Sequence, residues 1–287
     1  MRKTTHWNDY ELLDTGDGIK IERFNDIITQ RPEPTATWRR HNPALKADAV
    51  YDKVWNILPD TPAETILNYR DLSFKISIDE GKQVGLFPEQ AVNWDWMRKV
   101  IKQHEQPVRI LNLFAYTGGA SIAAAKENIE ELVHIDALKS ANNRMKENIV
   151  LNHLEDKHIR VIQEDALKFL LREKKRGRTY HGIIMDPPSF GRGPNKEQWK
   201  IEDHLPQLMD AAIALLDKDA LFLSVNTYTS NLPSSKVLNM MNQTLIKYKF
   251  KPTSDSGPIG ITVKSSQQAL ASGLTTRWCA HADLLRG

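Results

Sequence analysis

One cysteine, Cys279, stands among 287 residues, which excludes an internal disulfide framework and any multi-cysteine zinc site. Long apolar runs are missing too: none approaches the ~18 residues that a membrane-spanning helix needs. The opening Met1-Arg-Lys-Thr-Thr-His-Trp7 starts basic but enters no apolar segment, so no secretory signal is expected and the expected location is cytoplasmic. Charge of one sign is scarce, with 39 Lys+Arg against 36 Asp+Glu, and a net +3 does not by itself argue for nucleic acid. The sequence has no Gly-x-x-x-x-Gly-Lys-[Ser/Thr] phosphate loop, no His-Glu-x-x-His metal helix and no Gly-x-Ser-x-Gly elbow, and no metal is expected. What is there, 40% hydrophobic and 26% charged, suits a globular protein and excludes disordered, fibrous and membrane-embedded classes.

Two textures divide the chain. Residues 1–95 are rich in Trp, Pro and polar turns, and are expected to form a β-rich N-terminal extension. Within them Tyr10–Phe24 reads as a hairpin about the turn Thr15-Gly-Asp-Gly18, and Ser73–Asp79 alternates before Glu80-Gly81 turns it into Lys82–Phe87. Pro32, Pro34, Pro43, Pro59 and Pro62 mark a loop-rich connection between these pieces. Residues 96–287 are expected to be a single domain. From Val108 onward, apolar runs (108–114, 132–136, 159–165, 182–186, 220–226) alternate with helical stretches (119–128, 140–151, 166–175, 197–216). A helix over 235–248 and a strand over 275–281 follow. Short, nearly continuous apolar strands each followed by a helix predict a doubly wound α/β sheet covered on both faces, closed by a terminal hairpin.

Ligands in such sheets bind beyond the carboxyl ends of the strands. The first strand end reads Asn112-Leu-Phe-Ala-Tyr-Thr-Gly-Gly-Ala-Ser121, a tight two-glycine turn into a small-residue helix. Glycine lets backbone approach a ligand closely, but the same turn serves a plain strand–helix connection, and it is not Gly-x-Gly-x-x-Gly. The second ends at Asp136, which can accept from two ribose hydroxyls or cap the next helix. The third ends in Glu164-Asp165-Ala166, where Asp165 can meet an adenine amine or again act as a cap. The three together favour a nucleoside. The fourth, Met185-Asp-Pro-Pro-Ser-Phe190, is the most specific: two prolines stiffen the chain, Asp186 accepts from a flat ligand's amine, and Phe190 offers a stacking face.

Taken together these motifs resemble the class I S-adenosylmethionine-dependent methyltransferases, a Rossmann-like fold, and within them the bacterial enzymes that methylate bases of large-subunit ribosomal RNA. The segment Glu80-Gly-Lys-Gln-Val-Gly-Leu-Phe-Pro-Glu-Gln90 is similar to one that precedes the catalytic domain in that group. The resemblance covers about residues 73–230. It implies S-adenosyl-L-methionine as cofactor, with Phe114, Tyr116, Thr117, Gly118 and Gly119 at its methionine part, Asp136 at the ribose and Asp165 at the adenine. It implies a catalytic and substrate pocket of Asp186, Pro187, Pro188 and Phe190, with Gln90 and Phe87 at the rim.

Relatives that methylate carbon 5 of cytosine carry a cysteine at the end of the fifth strand, because carbon 6 must first be attacked. Here that strand reads Leu223-Ser-Val-Asn-Thr-Tyr228, and Cys279 reads as a small buried hydrophobe. The expected nucleophile is therefore a ring or exocyclic nitrogen, with Asn226 holding a base edge and RNA, ribosomal in kind, as the partner. The basic stretches Arg39-Arg-His41 and Arg172–Arg178 offer phosphate contacts, while Trp7, Trp38, Trp55, Trp94 and Trp96 can stack on bases, although most are expected in the core. A protein amide or small molecule in the same Asp-Pro-Pro pocket is the alternative substrate. A nicotinamide dehydrogenase is disfavoured by the missing third glycine, and a non-catalytic binding module by the intact set of strand ends. The target nucleotide and the oligomeric state are not legible.

Overall fold

The structure, a computed structural model, describes residues 1–4, 6–78, 81–192, 198–228 and 231–285. Its contacts divide the chain into two compact units: Met1–Val92 with Ile259–Ser272, and Asn93–Pro258 with Gly273–Gly287. A single boundary at residue 95 does not anticipate the return of 259–272 to the first unit.

The first unit is built on a five-stranded sheet in chain order: β1 (Tyr10–Gly16), β2 (Ile19–Phe24), β3 (Ile27–Pro32), β4 (Ala49–Asp52) and β5 (Val54–Ile57). The expected hairpin is there, pairing Tyr10 with Phe24 and Gly16 with Ile19. A second hairpin joins β6 (Glu64–Tyr69) to β7 (Leu72–Ser77). Thus the stretch expected to be loop-rich holds four strands, β3 to β6. They are short and bordered by prolines, so their alternation is cut off before it becomes periodic. Conversely, 82–87 forms no strand: Gly85 sits at φ +96° and Pro88 opens a 3-10 turn over Pro88–Gln90, so a ladder cannot run through. Asp79, the last residue of the expected strand, and Glu80, the first of the expected turn, lie outside the described residues.

Helix α1 (Ala91–Lys102), which was not anticipated, leads into the second unit. Its elements then alternate as expected: β8 (Val108–Leu113), α2 (Gly119–Ala125), β9 (Ile129–Asp136), α3 (Lys139–Leu151), β10 (Ile159–Gln163), α4 (Ala166–Lys175) and β11 (Gly182–Met185). Next come a short hairpin of β12 (Phe190–Arg192) and β13 (Gln198–Lys200), then α5 (Ile201–Ile213), β14 (Phe222–Thr227), α6 (Ser234–Lys247), β15 (Ser254–Thr262) and β16 (Ala269–Cys279). The helix expected over 197–216 is a correction: its first described turn is strand β13, and Glu197 lies outside the described residues.

The large sheet runs β10-β9-β8-β11-β14-β16-β15. Pairing is parallel from β10 to β14, with Leu113 beside Ile135 and Met185 beside both Leu113 and Val225, and β16 returns antiparallel to β14. Period 2 along the strands explains why both faces are apolar. Leu111, Leu113, Val133, Ile135, Ile183, Met185, Leu223 and Val225 join one core with Phe169 of α4, Leu208 of α5 and Met241 of α6. Their strand neighbours Ile110, Leu132 and Ile184 are buried on the opposite face. The strand order reverses between β8 and β11, a switch point at which sheet geometry opens a crevice at the carboxyl ends.

Candidate active site

The connection after β8 bends sharply. Phe114 and Tyr116 both sit at positive φ, +55° and +51°, a conformation that costs a non-glycine residue free energy and that clusters at ligand sites. Gly118, at φ +93°, completes the turn, and a Cβ there would fall 2.0 Å from the Met145 sulfur. A Cβ on Gly119 would lie 2.7 Å from the Trp94 ring. Gly118 is therefore demanded by the turn, and Gly119 by its close approach to the indole.

Asp136, at the end of β9, ties this bend to its neighbour. Its Oδ2 accepts from the Tyr116 backbone N–H at 2.8 Å and its Oδ1 from that of Leu138 at 2.8 Å. Burial pushes its carboxyl above the usual aspartate range, against the lowering effect of those two hydrogen bonds. Beneath the turn, Ser121 Oγ accepts from Asn112 Nδ2 and shares a hydrogen bond with His134 Nδ1, each at 2.9 Å. Burial pushes His134 down to about 3, so its ring is neutral.

Asp165 serves as a cap: its Oδ1 accepts from the Lys168 backbone N–H at 2.9 Å, the geometry of a helix N-cap. Asp186 begins the loop after β11, its backbone N–H reaching Leu113 O at 3.3 Å and its Oδ2 accepting from the Tyr228 hydroxyl at 3.1 Å. Pro187 is buried, Pro188 is exposed, and Phe190 is 61% exposed, so its ring face is open to a partner. The ends of β8, β9, β11 and β14 thus converge through hydrogen bonds, while Asp165 stands one strand further out.

Asn226 is held differently from the expectation of a group open to a base. It is buried, and its Oδ1 accepts from Asn93 Nδ2 at 3.0 Å, whose own Oδ1 accepts from the buried Arg277 guanidinium. That guanidinium lies 4.6 Å from the Trp96 ring centre. Phe87 and Gln90 belong to the first unit, on either side of Pro88 and Glu89. Cys279 is fully buried, with burial pushing its thiol up. It pairs with Phe222, three residues before the Val225 beside Met185, which places it about 10 Å down the sheet from the strand ends.

Three residues at the site carried no functional expectation. Trp199, on the β12–β13 hairpin, donates from Nε1 to Pro188 O at 2.7 Å, lies 5.9 Å from the Phe114 ring, and stacks on His204 at 4.5 Å. It therefore touches both the bend after β8 and the Asp-Pro-Pro loop. Tyr228, which pins Asp186, is the third. A signal existed in Gly191-Arg-Gly-Pro, a turn-favouring composition in the sequence shortly before Trp199. Of the basic stretch 172–178, Arg172, Arg176 and Arg178 pair with Glu164, Glu173 and Glu131.

Among the described residues no group of His, Cys, Asp and Glu could hold a metal ion, and no helix is long and apolar enough to cross a membrane.

Residues 19–219 match the family model described as S-adenosylmethionine-dependent methyltransferase. A crystal structure of a SAM-dependent methyltransferase from Agrobacterium tumefaciens is 34% identical, covering 97% of this chain and 93% of that one, with a TM-score of 0.89. Among curated proteins, ribosomal RNA large subunit methyltransferase I of Tolumonas auensis is 26% identical over 204 residues, 63% of this chain and 50% of its own. Ribosomal RNA large subunit methyltransferase K/L of Shewanella woodyi is 24% identical over 240 residues, 81% of this chain and 32% of its own. The chain spans about half or less of the length of these curated relatives.

Proposed function

The chain belongs to the S-adenosylmethionine-dependent methyltransferases, and from that premise we propose that it methylates a ring or exocyclic nitrogen of a base in ribosomal RNA. The cofactor supplies an electrophilic methyl group on a sulfonium sulfur. The donor set fits it. Each Asp136 oxygen takes one backbone N–H, and the carboxyl is raised by burial, so two ribose hydroxyls supply the donors that such a buried carboxylate favours. Phe114, Tyr116, Thr117, Gly118 and Gly119 would flank the methionine end, and Asp165 would offer its second oxygen to the adenine amine.

The observation that carries the substrate side is the convergence at Asp186. Its backbone is tied to Leu113, its side chain to Tyr228, and its loop, through the Pro188 carbonyl, to Trp199. Asp186 and the Pro187 carbonyl would hold the N–H of a base, with Phe190 stacked on its ring. With the cofactor bound, the base nitrogen would take the methyl group as its lone pair forms the N–C bond, the C–S pair staying on the sulfur. The proton leaves nitrogen through Asp186 or water, and the gain is mainly proximity and orientation. The RNA reading draws on the names of the curated relatives, and the nitrogen reading on the distance of Cys279 from the strand ends.

The test offers radiolabelled S-adenosylmethionine with protein-free ribosomal RNA, intact large subunits and ribosomal proteins in separate reactions, followed by nucleoside mass mapping. Label is expected in RNA as an N-methylated base, and the Asp186→Ala variant is expected to abolish it while still binding cofactor. Label in protein alone would transfer the site to amide methylation.

A further inference from the structure

We infer that the loop 33–42 of the first unit is a preformed contact for single-stranded RNA, with the Trp38 ring stacking on a base and Arg39 and His41 meeting the flanking phosphates. This inference rests on the RNA reading above.

The loop has no secondary structure, yet it is built as tightly as a strand. Trp38 O accepts from Asp17 N at 2.6 Å, Ala36 O from Gly18 N at 2.9 Å, and Gly18 O from Glu33 N at 2.8 Å. Its backbone lies directly over Gly16, where a Cβ would come within 2.7 Å of Trp38 O and 2.6 Å of Arg40 N. At the other end, buried Asp14 gathers the loop. Its Oδ2 accepts from Asn42 N at 2.9 Å, and its Oδ1 accepts from His41 N at 3.3 Å, Thr15 N at 3.0 Å and the Ser265 hydroxyl at 2.6 Å. Burial alone would raise this carboxyl, but those hydrogen bonds outweigh it and hold it below the usual range. A buried carboxylate is thus devoted to fixing an exposed loop.

What that scaffold displays is specific. Trp38 is tethered by one edge, Nε1 donating to Thr15 O at 2.9 Å, and the residue is 43% exposed. Arg40 turns inward to Pro43 O and Asp17, whereas Arg39 and His41 are exposed on either side of it. A fixed aromatic face beside an outward guanidinium and imidazole is what a splayed base and its phosphates require, since stacking tolerates any base and N–H donors follow the backbone. Rigidity matters because ordering cost is met before the ligand arrives. In the basic stretch 172–178 the arginines are engaged by glutamates.

The experiment measures fluorescence anisotropy of a labelled single-stranded ribosomal RNA fragment against the full chain at several salt concentrations. Trp38→Ala is expected to weaken binding about five- to hundredfold and Trp38→Phe, which keeps a ring face, much less. Arg39→Ala is expected to lower the slope of log affinity against log salt by about one. Cofactor affinity and melting temperature should hold in all three. If the wild type binds RNA and these variants match it in affinity and slope, the loop inference falls and the RNA reading stands. If the wild type binds no RNA, both fall.

Discussion

Asp136 and His134 lie two residues apart on β9, and burial moves them in opposite directions, the acid up and the imidazole down. For Asp136 the consequence concerns the cofactor. Accepting two ribose hydroxyls requires the ionised form, so S-adenosylmethionine affinity should fall on acidification at a pH above the ordinary aspartate value of about 3.9. Asp136→Ala should weaken binding by about 2–4 kcal/mol at neutral pH, the size of one or two charge-assisted hydrogen bonds. Calorimetry showing unchanged affinity would remove Asp136 from the ribose. For His134 the consequence concerns stability. The unfolded chain takes up a proton near pH 6.5 while the folded chain refuses it until about 3. Stability is therefore lost as pH falls across that window, at up to ~1.4 kcal/mol per pH unit. Urea midpoints at pH 7.5 and 5.0 should differ more for the wild type than for His134→Gln, and equal differences would contradict the buried neutral ring.

At the scale of elements, the hairpin β12–β13 is the piece to disturb. Trp199→Phe keeps an aromatic ring near Phe114 and His204 but deletes the bond to Pro188 O. Turnover should fall tenfold or more through misplacement of the Asp186 loop, with cofactor affinity within about twofold. An unchanged kcat would reduce Trp199 to packing. Cys279→Ser, by contrast, should retain turnover within a few-fold, and its loss with fold and cofactor binding intact would restore a cysteine adduct. These two residues also show what was legible. Strands β8, β9, β11 and β14 stood out because burial on both faces writes an uninterrupted apolar run into a few neighbouring residues. Strand β13 was absorbed into the helix after it, since three residues carry no period and Trp199 suits the apolar face of α5. Strands β3 to β6 were hidden by prolines. Asp136, Asp165 and Asp186 were found as strand-end acids, but local sequence could not separate cap from ligand at Asp165. The Asn226–Asn93 bond was invisible for another reason: its partners are 133 residues apart.

For the molecule as a whole, the family and fold rest on more than two thirds of the chain, while the substrate rests on relatives of whose length the match covers half or less. One connection then takes on a meaning beyond topology. Because 259–272 returns to the first unit, the polypeptide passes between the two units at 92/93, 258/259 and 272/273. Its residues are used there: Lys264 N reaches Leu12 O, Ser265 N reaches Leu13 O, and Val263 bridges Leu12. No single cut separates the units. A fragment of residues 93–287 should carry the buried Ile259 and Val263 without Arg2 and Leu12, which they bridge, and should aggregate or melt well below the full chain in thermal scans. A fragment that melts like the parent would deny this. Heredity is subject to the same constraint. A recombination event with one breakpoint cannot graft the whole of this N-terminal unit onto another methyltransferase, because the last piece of it is encoded some 170 codons downstream, between two stretches of the second unit. An exchange that keeps both units whole needs breakpoints on either side of that piece as well.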